Sequence, residues 1–187
     1  MFKVETNNPL IHRFDNFITE QECDILSHFM INMCKKDSYK VDVLPWFDGD
    51  RTSIKKIEDK TVKEILNNHR NKLSDISSSL YKEVLYPILT DIVLWRCGKK
   101  MDIHKDNGYD DSGEFINRHY SSVTYINDDY TGGETIIDNY VSIPKKGSIV
   151  IFTSDERCLH KVNTIESGTR IVVPIWLTRN IEQIEII

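Results

Sequence analysis

His104, Asp106 and His160 are spaced so that they could hold one ion, and Arg170 follows ten residues after the last of them. Residues two apart on an extended strand point to the same side, so His104 and Asp106 can share a metal. A later strand that brings His160 to the same point completes a set of two imidazoles and one carboxylate. That facial set leaves three coordination positions open, which suits an Fe(II) that must also meet O2 and a co-substrate. Arg170 carries a planar fork of donors, the side-chain type that anchors the far carboxylate of a dicarboxylate through a bidentate pair. Singly, each residue has a plainer explanation. Lys105 and Asn107-Gly108 make His104 and Asp106 read as a solvated turn, and an isolated His160 is more often a satisfied histidine. One arrangement accounts for all four.

The same donors also hold zinc, so a zinc-loaded hydrolase and a catalytically silent binding module are the competing classes. Hydrolysis needs no dicarboxylate anchor, which sets Arg170 against the first, and an intact triad stands against the second. His12, His28, His69 and His119 lack a comparable pattern, and His69 is expected to pack beside a helix's apolar stripe. Asp128-Asp129 reads as a solvated turn.

These residues must be positioned by a chain whose order is helical first and strand-rich later. Thr19-x-x-Glu22 is a capping box, followed by Cys23, Leu26, Phe29, Met30 and Met33 at helical spacing. Val62, Ile65, Leu66, Leu73, Ile76, Leu80 and Val84 form the stripe of a longer helix, ended before Pro87. From about residue 90 the runs 92–95, 122–126, 134–137, 148–152 and 170–176 are β-rich and separated by Asn107-Gly108, Gly132-Gly133, Pro144 to Gly147, and Ser167-Gly168. In the last run Arg170, Val172, Pro174 and Trp176 share one face, while Ile171, Val173, Ile175 and Leu177 share a wholly apolar one. If the first face lines an interior, Arg170 is a buried charge that needs an anion. Pro174 demands an edge strand or a bulge.

The fold class expected is α+β, mainly β: a jelly roll (double-stranded β-helix) with the N-terminal helices packed on one sheet. No linker or repeat divides the 187 residues, so residues 1–187 read as a single domain, with 1–90 a helical support region and 91–187 the β core. A hydrophobic fraction of 40% with 28% charged residues is that of a globular protein. A net charge of −5 makes nucleic acid an unlikely partner. No signal core or membrane-spanning run is present, and the four cysteines (Cys23, Cys34, Cys97, Cys158) lack CxxC spacing. A cytoplasmic protein with reduced, mostly buried thiols is expected. Abundant Asn, Ile, Lys and Asp point to an AT-rich genome, a virus or phage among the candidates, in which case the compartment is the host's cytoplasm. Nothing in the sequence sets an oligomeric state.

The chain resembles the Fe(II)/2-oxoglutarate-dependent dioxygenases, in the prolyl 4-hydroxylase-like branch. The resemblance runs from Asp15-Asn16-Phe17-Ile18-Thr19 to Cys23, through Asp50-Arg51-Thr52-Ser53, to Trp95-x-x-Gly98-x-x-Met101-x-x-His104-x-Asp106. Arg118 through Tyr125-Ile126-Asn127, Gly132-Gly133-Glu134-Thr135, Pro144-x-x-Gly147 with Phe152, and His160 through Gly168-x-Arg170 to Trp176 complete it. The resemblance implies iron held by His104, Asp106 and His160, and 2-oxoglutarate held by Arg170 with Trp95 beside it. It further implies O2 as oxidant, ascorbate as reductant, and hydroxylation of an unactivated C–H bond in a peptide or protein. A peptidyl proline is the first expectation, and another residue or a small molecule the alternative. Arg118 and Trp176 stand at substrate-facing positions, with loops around Trp46 to Ser53 and Asn107 to Asn117 flanking them. Collagen-type members carry Lys at the Arg170 position, tyrosines at Trp95 and Met101, and in some cases a histidine at Thr178. These departures bear on peptidyl-proline specificity and leave the iron and co-substrate residues intact.

Overall fold

A computed structural model describes residues 1–35, 49–108 and 115–187. Trp46 and part of the Asn107–Asn117 loop fall outside the described residues. Helix α1 (Glu20–Cys34) starts at the expected capping box: Glu22 N donates to Thr19 Oγ1 at 3.2 Å, and Thr19 N to Glu22 Oε2 at 2.8 Å. Helix α2 (Lys60–Tyr81) starts at Asp59, which accepts from Val62 N, and stops at Lys82, whose φ of 57° is left-handed. Val84 is therefore not the last member of the α2 stripe. It lies beyond the helix and is 65% exposed.

The strands are β1 (Phe2–Val4), β2 (Ile11–Asp15), β3 (Asp50–Ser53), β4 (Tyr86–Arg96), β5 (Met101–His104), β6 (Tyr120–Tyr125) and β7 (Thr131–Gly132). Then follow β8 (Thr135–Ile137), β9 (Tyr140–Ser142), β10 (Ile149–Thr153), β11 (His160–Val162), β12 (Ile165–Ser167) and β13 (Thr169–Thr178). Among the described residues, seven strands make an antiparallel major sheet in the order β1-β2-β10-β6-β13-β4-β3. Four make a minor sheet, β5-β11-β8-β9, and β12 pairs with β7. Two facing sheets fed by alternate strands are the jelly roll the sequence suggested. Residues 1–90 are more than a helical support, because β1, β2 and β3 extend both edges of the major sheet.

The two faces of β13 divide the core. Ile171, Val173, Ile175 and Leu177 join Leu26, Leu66 and Leu73 in the cluster under the helices. Val172 lies in a second cluster, between the sheets, with Val93, Trp95, Tyr125 and Phe152. Burying four such side chains contributes roughly 1.5–3 kcal/mol each, which fixes the register, because a one-residue slip would turn Arg170 into the helix layer. Pro174 sits in the middle of the sheet, contrary to the edge position its missing N–H suggested. The β13–β4 ladder omits Val173 and Pro174 and resumes at Ile175, so no ladder bond is demanded of the proline there, and the bulge falls later, between Trp176 and Leu177. Cys23 and Cys158 are buried, Cys34 is half-buried and Cys97 exposed, all as free thiols, so only half match the buried expectation. No helix among the described residues is long and apolar enough to cross a membrane.

Candidate active site

The minor sheet and the bend after β5 bring the histidine–carboxylate set together. His104 ends β5 and is paired directly with His160, the first residue of β11. Asp106 falls in the bend just past β5 rather than on the strand. His160 Nε2 lies 3.3 Å from Asp106 Oδ2, His104 Nε2 lies 3.7 Å from Asp106 Oδ1, and the three donor atoms lie within 4.8 Å of one another. Each imidazole is oriented from behind: His104 Nδ1 bonds to Asp102 O at 2.8 Å, and His160 Nδ1 to Cys158 O at 3.2 Å. A backbone carbonyl accepts only from N–H, so both rings keep Nδ1 protonated and aim the Nε2 lone pair at the common point.

Asp106 is held in the same way. Ser121 Oγ donates to Asp106 Oδ2 at 2.6 Å and shares a 2.7 Å bond with the buried Ser154. Burial pushes the Asp106 carboxyl up, but His160, His104 and the Ser121 hydroxyl outweigh it and hold the group well below the usual carboxylate range. Burial likewise lowers His160, and the Asp106 charge more than restores it, so its direction is upward. His104 goes down, through burial and then the neighbouring His160. An anionic carboxylate between two oriented imidazoles suits a divalent cation.

Arg170 opens on the same cleft, which has a volume of about 140 Å³ and also carries Trp95, Thr135, Pro174 and Trp176. Arg170 as a whole is 1% exposed, yet no carboxylate among the described residues is seen to pair with it. Arg170 Nη2 donates to Thr135 Oγ1 at 3.0 Å, Tyr125 Oη donates to the same hydroxyl at 2.9 Å, and Arg170 Nε is buried with no partner. Trp95 is directly opposite Arg170 on β4. A buried cation with an unused donor, beside a hydroxyl pair and open to a cleft, fits the carboxylate of an organic acid. The site thus fits both a divalent metal and a dicarboxylate.

The mouth of the cleft is aromatic and basic. The Arg118 guanidinium lies 4.3 Å from the Trp176 ring and 4.1 Å from that of Phe115. Arg51 lines the cleft from β3 and meets Asp91 at 3.4 Å. Met101 is also in the wall, whereas Thr178 is fully buried and bonds to His119 Nδ1 at 3.3 Å. Sequence reasoning missed Ser121, Tyr125 and Thr135 as site residues. Period-2 alternation along β6 puts Ser121, Val123 and Tyr125 on one face, and that was the available signal. His69 is buried, with Nε2 2.9 Å from Thr124 Oγ1, and packs beneath the sheet as expected. Asp128 and Asp129 serve their turn, accepting from Lys146 N at 3.0 Å and Asn127 Nδ2 at 2.6 Å.

Comparison with known proteins agrees with this geometry. The model of the 2OG-Fe(II) oxygenase superfamily matches residues 91–178, which include all four expected metal and anchor positions. A PKHD-type hydroxylase of Prochlorococcus marinus is 28% identical over 192 residues, covering 91% of this chain and 81% of the relative. One from a Psychrobacter strain is 31% identical over 124 residues, covering 60% of this chain; the match spans 46% of that relative's length. The crystal structure of a Pseudomonas putida prolyl-4-hydroxylase superposes with a TM-score of 0.72 at 17% identity, covering 91% of this chain and 93% of that one. Residues 91–178 thus match the 2OG-Fe(II) oxygenase superfamily, and the chain has the jelly-roll fold of the prolyl 4-hydroxylase-like structures.

Proposed function

We propose that the chain is an Fe(II)- and 2-oxoglutarate-dependent dioxygenase that hydroxylates a proline within an extended peptide. One observation carries the reading: a buried arginine without a carboxylate partner among the described residues shares a cleft with a converging His-Asp-His set. His104, Asp106 and His160 would hold the iron. Arg170, supported by Thr135 and Tyr125, would hold the far carboxylate of 2-oxoglutarate, with Trp95 closing the side. Iron, 2-oxoglutarate and O2 together supply oxidation of an unactivated C–H bond, with succinate and CO2 as co-products and ascorbate keeping the metal reduced. The protein's share is placement and exclusion of water. The Trp176 ring offers a flat apolar wall for a proline ring. Arg118, laid against Trp176 and Phe115 and lining the cleft, would meet the backbone carbonyls of a peptide in the mouth.

The same chemistry on another residue or a small molecule is the second reading. It is favoured by Met101, which brings no donor to the wall, and by Thr178, which is committed to His119. A zinc hydrolase leaves the Arg170 fork without a purpose. The test is mass spectrometry of proline-rich peptides incubated with protein, Fe(II), ascorbate and 2-oxoglutarate. Addition of one oxygen to proline, matched by succinate, is the expected result. Succinate released only with other substrates overturns the prolyl assignment. Failure of 2-oxoglutarate to bind overturns the dioxygenase reading itself.

A further inference from the structure

Arg170 is held by more than its own strand. The turn after β6 reaches across to β13, and Asn127 fastens it there on both sides of the arginine. Asn127 Nδ2 donates to Thr169 O at 2.7 Å, and Asn127 Oδ1 accepts from Ile171 N at 2.7 Å. A carboxamide that replaces a strand's donor and acceptor in this way works as a clasp. The turn ends in Tyr130, and two glycines let that side chain in. A Cβ on Gly168, whose φ is +75°, would come within 2.9 Å of Tyr130 Cβ. One on Gly133, whose φ is +66°, would lie 3.1 Å from both Tyr130 Cε2 and Arg170 Cδ. The tyrosine ring and the stem of Arg170 thus approach the same glycine, and Tyr130 is not among the residues lining the cleft.

Two polar atoms in this packing are buried without a partner: Tyr130 Oη and Arg170 Nε. Burial raises the Tyr130 hydroxyl far above its usual range, and the Arg170 charge offsets part of that rise, so the two groups are within electrostatic reach. A buried donor and a buried hydroxyl left unsatisfied are both unfavourable. A small rotation of the guanidinium that gives Nε–H to Tyr130 Oη removes both penalties. It also fixes which edge of the fork is presented to the cleft.

We infer that Tyr130 is a positioning residue, accepting Arg170 Nε–H when a dicarboxylate is bound and so setting how far the anchor reaches and which length of 2-oxo acid it takes. The inference rests on the proposal that Arg170 holds 2-oxoglutarate. Tyr130 itself does not line the cleft, so its effect passes through the arginine.

The experiment compares Tyr130→Phe with wild type in the Mn(II)-loaded protein, by calorimetric titration of 2-oxoglutarate, oxaloacetate and 2-oxoadipate. The variant should bind 2-oxoglutarate about 10-fold more weakly, the scale of one lost hydrogen bond to a charged group. Its preference over the shorter and longer acids should shrink, with the melting temperature little changed. A nitrogen-15 spectrum of the diamagnetic Zn(II)-loaded protein gives a readout independent of affinity: on adding 2-oxoglutarate, the Arg170 Nε–H signal should become protected from exchange in wild type and not in the variant. Equal affinities and equal protection overturn the inference. If Tyr130→Phe melts early, Gly133→Ala, which presses on the same two side chains, should reproduce the loss of discrimination, and unchanged discrimination there overturns it as well. Arg170→Ala separates the two levels: if it still binds 2-oxoglutarate, the proposed function fails, whereas the Nε–H result judges Tyr130 alone.

Discussion

Of the three arginines buried among the described residues, Arg70 and Arg170 lie deepest, and they are solved differently. Arg70, on α2, meets Glu185 near the end of the chain. Arg70 Nη1 lies 3.0 Å from Glu185 Oε2, and Nη2 donates to Glu185 O at 2.6 Å, with the two side chains 6% and 0% exposed. Arg170, in the other core, has a hydroxyl and a tyrosine beside it and no carboxylate among the described residues. A buried guanidinium that the fold neutralises by itself is structure. One that the fold leaves for something else to neutralise marks a candidate binding site. The contrast is sharper than burial or residue type alone, because both positions carry the same side chain at nearly the same exposure.

The largest effect that tests the contrast is on stability. Arg70→Ala should cost about 3–5 kcal/mol of unfolding free energy, because it strands the Glu185 charge in the interior. Urea denaturation measures this, and co-substrate affinity of the folded fraction should not change. The converse holds for Arg170→Ala. It should weaken 2-oxoglutarate binding by about 2–5 kcal/mol and leave unfolding free energy unchanged or slightly raised, because a buried charge with no partner is removed. If Arg170→Ala instead lost stability as Arg70→Ala does, the distinction between the two would collapse.

The smallest effect concerns His69, next to Arg70 on the same helix. Burial holds its imidazole down to about 3, against an ordinary value near 6.5. The folded state therefore refuses a proton that the unfolded chain accepts. The associated stability is complete above pH 6.5 and is lost as pH falls toward 3, by up to about 1.4 kcal/mol per pH unit. Between pH 7 and pH 5 the wild type should lose about 1–2 kcal/mol more than His69→Leu does. Equal losses would mean that His69 is already protonated in the fold.

Chemistry and periodicity were legible in the sequence wherever a residue's partner is generic. His104, Asp106 and His160 needed only strands that meet, and the Ile171-to-Leu177 face needed only an apolar layer. Thr19-x-x-Glu22 closes on itself, so local spacing sufficed. Illegible were features decided by one particular neighbour. Pro174 is tolerated mid-sheet because the ladder to β4 is interrupted at that point. Val84 left the α2 stripe because Lys82 turned the chain first. Strand β2 draws its pairing from the distant β10, with Phe14 opposite Ile149, and β1 only adds to β2; short runs such as Ile11–Asp15 have no alternation strong enough to announce it. Ser121 became a support for Asp106 only because β6 passes beneath the bend after β5. The clasp of Asn127 and Tyr130 around Arg170 likewise exists only once β6 and β13 are neighbours.

The pairing of β5 has a consequence for how the protein breathes. This strand carries His104 and leads into Asp106, yet among the described residues it is an edge, joined to β11 alone through two registered pairs with an irregularity between them. Edges with few cross-strand bonds open at a small fraction of the global unfolding cost. Two of the three proposed metal ligands therefore sit on or just past an edge strand, while His160 is set in the interior of its sheet. An ion held across that gap would act as a rivet, fastening one margin of the minor sheet to its interior. Amide exchange across residues 101–108 should then slow on metal loading well beyond any change in β8 or β9, making the fastening visible without turnover.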